Sequence, residues 1–113
     1  MNPVLRHAID QAFAQARAAE LNRQPEAAYA WLERAHILSQ RRPLLHARVH
    51  LGMLRLGWVT RDAREVFGQL PRVLAALLFS TLWVPRGNSG RARVSAFAPA
   101  PLTPELEDLL ADP

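Results

Sequence analysis

The chain has 113 residues, one small domain's worth, and half of them are hydrophobic, enough for an ordinary core. It has no cysteine, which excludes disulfides, thiolate metal sites and thiol nucleophiles. All fourteen Lys/Arg-class residues are arginine, so the pI of about 11.2 overstates the basic character that a net charge of +4 confers.

The first residues, Met1 to Gln15, mix Arg6, His7 and Asp10 among apolar residues and do not read as a signal peptide. The longest apolar run, Val73 to Val84, is broken only by Ser80 and Thr81 and is too short to span a bilayer as a helix. These features lead us to expect a cytoplasmic protein.

Asn2 and Pro3 are an N-cap and first helical position for a helix over about 3–21, in which Leu5, Ala8, Ile9, Ala12, Phe13, Ala16 and Ala19 recur at helical spacing. Asn22 to Gln24 form a turn, and Pro25 opens a second helix over about 25–39. Pro43 opens a third over about 43–56, after a break at Gln40 to Arg42. Gly57 to Arg61 read as a loop. Asp62 caps a fourth helix over about 62–82, with Ala63, Val66, Phe67, Leu70, Leu74 and Leu77 as its apolar content and Pro71 as a kink or restart.

Matching Leu21 to Leu56, Ala28 to Ala63, Leu32 to Phe67 and Ala35 to Leu70 gives a constant offset of 35, close to the tetratricopeptide period. The expected fold is therefore all-α, a tetratricopeptide-like pair of antiparallel helical hairpins with an irregular C-terminal tail. The helical domain spans 1–84 and the tail 85–113. Two units are fewer than a stable array needs, so the tail or a second chain should cover an apolar face. In the tail, Pro85 to Gly90 are turn-rich and Arg91 to Pro101 look extended. Thr103, Pro104 and Glu105 then open a short helix ending near Leu110.

The chemistry lies around the second turn. Glu33 and His36 precede the break, and His46 and His50 follow it. Residues three or four apart share a helix face. In an antiparallel pair, His36 and His46 are about equally far from the turn, with Glu33 and His50 one helical turn beyond. The four side chains would offer three imidazole nitrogens and one carboxylate oxygen to a transition metal ion: zinc, iron, nickel or copper. Gln40 is placed to orient a ligand, and Asp10 to act as an outer partner near the level of His36. The competing reading is a set of interior polar residues satisfied by Arg34, Arg48 or one another.

Catalysis is less favoured than binding. His46 and His50 have the zinc-protease spacing, but no glutamate follows the first histidine. Glu33 to His36 resembles half of a di-iron carboxylate site whose other half is missing. Gly87 to Gly90 read as a turn more readily than as an anion cradle. Arg41, Arg42, Arg48, Arg55, Arg61 and Arg64 lack the aromatic interleaving of a nucleic-acid surface and read as solvated helix faces.

The strings Leu32 to Leu38, His46 to Leu54, Arg61 to Gln69 and Pro85 to Gly90 together resemble a small bacterial family catalogued only as a domain of unknown function, the DUF-3703 type. That resemblance implies a short helical protein, often encoded near metal-resistance or transport genes, and brings no established activity or ligand set. The resulting expectation is a cytoplasmic metal-binding protein for sensing, storage or handling, with Glu33, His36, His46 and His50 as ligands. The alternative is a metal-free protein-interaction module that uses a helical groove for a peptide or a second copy of itself. An enzyme with an open metal position stands third.

Overall fold

Proline and short polar side chains set the helix starts. In the computed structural model, which describes residues 1–111, α1 runs Pro3–Leu21, α2 Pro25–Ser39, α3 Pro43–Val59, α4 Ala63–Phe79 and α5 Pro104–Leu110. Asp112 and Pro113, at the end of the expected tail, lie outside the described residues. Proline takes the first position of α1, α2, α3 and α5, where its missing N–H leaves no bond unmade. Asn2, Asp62 and Thr103 accept hydrogen bonds from the amides of Leu5, Glu65 and Leu106, capping α1, α4 and α5.

Two helix ends are built alike. Arg23 and Arg61 adopt positive φ, 57° and 59°, just past the ends of α1 and α3. The Gln24 amide then reaches the Ala19 carbonyl at 2.9 Å, and the Asp62 amide reaches that of Gly57 at 2.8 Å. The two hairpin turns are thus 38 residues apart, position 61 against position 23, and not the 35 that side-chain matching suggested. That matching paired unlike environments: Leu32 is buried and Phe67 exposed, and Ala35 is buried where Leu70 is exposed.

The connections are short, and α1 packs on α2, α2 on α3 and α3 on α4. Ala12, Ala16, Ala28, Tyr29, Leu32, Ala35, Val49 and Met53 form the core between α1, α2 and α3. The many alanines let the helix backbones approach closely. A second cluster joins Leu5, Ala8, Ile9 and Leu38 to Leu106 of α5, which an Arg34–Glu105 ion pair at 2.5 Å ties further to α2. No helix among the described residues is long and apolar enough to cross a membrane.

The fourth helix departs most from expectation. It runs through Pro71, and its buried residues are Glu65, Gln69 and Ala76. Phe67, Leu70, Leu74 and Leu77, expected in the core, face outward. The reason is the chain after Trp83. It does not form the alternating extended segment expected for Arg91 to Pro101; it folds back as turns against α2 and α4. Its backbone groups need polar partners once buried. Arg72 donates to the carbonyls of Gly90, Arg91 and Val94. Glu65 accepts from the Ala92 amide at 3.0 Å and the Arg91 guanidinium at 2.6 Å. Asn88 donates to the Ser95 and Ala98 carbonyls, each at 2.7 Å.

Candidate metal centre

His36 near the end of α2 and His46 and His50 in the first half of α3 are brought together by the turn between those helices. All three are buried, with ring centroids 4.7–4.8 Å apart. Their Nε2 atoms converge. His46 Nε2 lies 2.9 Å from His36 Nε2 and 3.1 Å from His50 Nε2.

The outward nitrogens determine what those Nε2 atoms carry. His36 Nδ1 sits 2.7 Å from the Asn88 carbonyl, which can only accept. His50 Nδ1 sits 2.6 Å from Gln69 Oε1, and the Gln69 amide is oriented by its Nε2 donating to the Gly90 carbonyl at 2.9 Å. His46 Nδ1 sits 2.8 Å from Ser80 Oγ, whose one proton is given to the Ala76 carbonyl. Each Nδ1 is therefore the protonated nitrogen. Each Nε2 is a lone pair, and the three lone pairs point at one another with no proton among them. Close N···N approach of this kind is unfavourable for bare imidazoles, because three acceptors meet without a donor.

The same arrangement suits a cation. Donors about 2.1 Å from one ion stand about 3.0 Å apart at right angles and about 3.4 Å apart at the tetrahedral angle. The observed separations of 2.9 and 3.1 Å match the first. Asn88, Ser80 and Gln69 supply the outer bonds that fix tautomer and ring orientation in metal sites. Burial also keeps the rings neutral, as metal ligands must be. It pushes His46 down to about 4. Burial, reinforced by the neighbouring His46, pushes His50 down to about 3. His36 is held well below the usual histidine range by burial and by the other two rings.

The fourth expected ligand is elsewhere. The group of ligating atoms within 4.8 Å of one another comprises His36, His46 and His50 without Glu33. Glu33 faces Arg91 at 3.5 Å, and that guanidinium also pairs with buried Glu65 and lies over the Tyr29 ring at 3.5 Å. A residue three before His36 falls about 60° short of a full turn, which is enough to aim its side chain at the tail arginine rather than at the rings. Partial burial raises the Glu33 carboxyl above the usual range, and Arg91 opposes that rise. Gln40 meets the His46 ring through its backbone carbonyl rather than its side chain. The side chain pins the 85–87 turn, donating to the Pro85 carbonyl at 3.0 Å and accepting from the Gly87 amide at 3.2 Å. Asp10 is exposed and pairs with Arg6, and His7 is exposed as well. Of the arginines weighed as a basic surface, Arg48 lies over the Phe13 ring and Arg55 pairs with Glu20.

Three partners of the site, Gln69, Ser80 and Asn88, are not evident from the sequence alone. The available signal was a polar residue facing inward on an otherwise apolar helix, and a glycine-flanked asparagine in a turn. Gly90 shows why that turn is specific. Its φ is +84°, and a Cβ placed there would stand 2.5 Å from His36 Cδ2. Gly90→Ala is expected to destabilise the fold by about 2–4 kcal/mol and to weaken metal uptake at least tenfold, read by urea denaturation and metal titration. An unchanged urea midpoint would show that the turn does not press on the ring.

The chain belongs to the family described as a protein of unknown function, DUF3703, whose model matches residues 3–110. No curated protein and no solved structure matches it.

Proposed function

We propose that this chain is a cytoplasmic protein that binds one transition metal ion through His36, His46 and His50, with its paired helices serving as a tetratricopeptide-like scaffold. The observation that carries this reading is the convergence of three deprotonated Nε2 atoms, each backed by an outer hydrogen bond on Nδ1. Imidazole donors suit zinc, copper, iron and nickel, which sets the class of ion. One such cluster among the described residues favours sensing or handling of the ion over bulk storage. Elemental analysis of protein purified without a histidine tag is the test. We expect close to one metal ion per chain for the wild type, and under a tenth of that for His46→Leu. A wild-type chain that stays metal-free after incubation with each of the four ions would end this reading.

A second reading concerns assembly and is compatible with the first. Phe67, Leu70, Leu74 and Leu77 follow a 3-4-3 spacing along the outer face of α4, and all four are exposed. From Val66 to Trp83 the single charged residue is Arg72, whose guanidinium is committed to three tail carbonyls. A seam of this kind is self-complementary across a twofold axis, so its occupant is a second copy of the chain. With Leu78, Leu82 and Trp83, seven side chains at on the order of 100 Å² each approach the roughly 800 Å² per partner of a standard interface. Light scattering should give twice the chain mass of 12.7 kDa for the wild type and a single chain mass for Leu74→Glu. A monomeric wild type at 100 µM, on the order of the highest concentrations at which such interfaces dissociate, would remove the dimer.

A further inference from the structure

The three histidines line one wall of a cavity of about 550 Å³, a volume in the range of small-molecule sites. Its remaining walls are largely apolar. They include Pro71, Ala75, Ala76, Phe79, Trp83 and Phe97. Phe79 and Phe97 are each more than half exposed, which places them at the mouth. Arg72 also borders the cavity, but its guanidinium is spent on the carbonyls of Gly90, Arg91 and Val94. The cavity therefore offers an incoming molecule apolar surface and the histidine site, with no free side-chain charge of its own.

An ion held by three neutral imidazoles keeps its full charge. No other His, Cys, Asp or Glu among the described residues joins the cluster. A tetrahedral ion then lacks one ligand and an octahedral ion lacks three, and three protein ligands plus an open position is the arrangement of catalytic and ligand-exchanging metal sites. The cavity is the open space that borders all three rings, so a further ligand approaches from there, while Asn88, Ser80 and Gln69 occupy the Nδ1 atoms. The charge calls for an anionic head, and the walls call for an apolar body.

From this we infer that the cavity binds an apolar monoanion, an aryl or alkyl carboxylate in chemical class, whose carboxylate completes the coordination of an ion on His36, His46 and His50 while its body lies against Pro71, Ala76, Phe79 and Trp83. The inference rests on the metal reading above. It explains what that reading leaves open, namely why a histidine site is backed by an apolar cavity rather than by water-binding polar groups.

The test uses the full chain loaded with cobalt(II), whose visible absorption responds to a change of ligand. Cobalt stoichiometry is measured first. The loaded protein is then titrated with acetate, hexanoate and 4-phenylbutyrate. We expect the spectrum to change with all three and the dissociation constant to fall roughly fourfold per methylene buried, so that hexanoate binds at least tenfold tighter than acetate. Ala75→Trp, on the cavity wall and outside the histidine cluster, should keep its cobalt and lose the preference for the longer acids. One cobalt per chain with acetate and 4-phenylbutyrate binding within threefold of each other would overturn the apolar-ligand inference and leave the metal reading standing. Failure to take up cobalt, zinc, copper, nickel or iron at all would overturn both.

Discussion

A saturating transition metal ion is expected to raise the thermal midpoint of the wild-type chain by on the order of 10–20 °C, and His46→Leu to abolish that rise without lowering the midpoint of the metal-free protein. The first half follows from linkage. An ion at a thousand times its dissociation constant stabilises the folded state by about 4 kcal/mol, and for a chain of this size each kcal/mol is worth roughly 3–6 °C. The second half separates a ligand from an ordinary interior histidine. Without an ion, His46 Nε2 turns one more lone pair toward those of His36 and His50 and contributes no donor to either. Its ring bonds Ser80 Oγ through Nδ1 and also meets the Gln40 backbone carbonyl, and Ser80 still donates to the Ala76 carbonyl when the imidazole is gone. Leucine therefore strands only the Gln40 carbonyl, at the end of α2, and in exchange relieves an unfavourable approach, so the metal-free midpoint should stay near level. Differential scanning fluorimetry with and without each ion reads both effects. A metal-free His46→Leu chain destabilised by about 3 kcal/mol or more would mark His46 as a structural residue and count against the ligand role.

Acid should unfold the metal-free protein at about pH 4.5, and replacing the three histidines by leucine should carry that midpoint well below pH 4. The sign follows from which state takes up protons. In the unfolded chain each imidazole titrates near 6.5; folded, His46 is at about 4 and His50 at about 3, both pushed down first by burial. Below pH 6.5 the unfolded state binds protons that the folded state refuses. Their contribution is complete above pH 6.5 and is lost as pH falls toward 4 and then 3. At pH 4.5 two units separate that pH from the unfolded value, so each of these two residues has withdrawn on the order of 2–3 kcal/mol. His36 adds in the same direction. The sum is comparable with the whole stability of a small domain. A bound ion opposes the change, because protons must displace it from the same nitrogens. Circular dichroism against pH, with and without chelator, is the measurement. A metal-free wild type that keeps its helical signal at pH 3.5 would mean that the buried imidazoles do not withdraw stability in acid.

Much of the helical scaffold is readable from local signals. Pro3, Pro25, Pro43 and Pro104 sit at first helical turns, and Asn2, Asp62 and Thr103 bond amides three residues on. Such signals act within a few residues and need no partner from elsewhere. The convergence of His36 with His46 and His50 is legible for a related reason. Two helices joined by a short turn have few ways to pack, so equal distance from the turn approximates proximity in space. Glu33 breaks the pattern because that count ignores the angle around the helix, and because Arg91, 58 residues on, offers it a charged partner.

What the sequence by itself determined about this protein is the set of helices, the turn between α2 and α3, and the three imidazoles that this turn gathers, since all of these depend on short-range spacing and on capping chemistry. Only the tertiary structure decided the rest. It turned Glu65 and Gln69 inward and left Phe67, Leu70 and Leu74 outside, and it brought Asn88 and Gly90 against His36. The physical reason is the tail: a buried irregular backbone has to find hydrogen-bond partners, and satisfying it took precedence over the apolar periodicity of α4. Those long-range bonds set the tautomers, and the tautomers turn three neighbouring histidines into a candidate site for a metal ion.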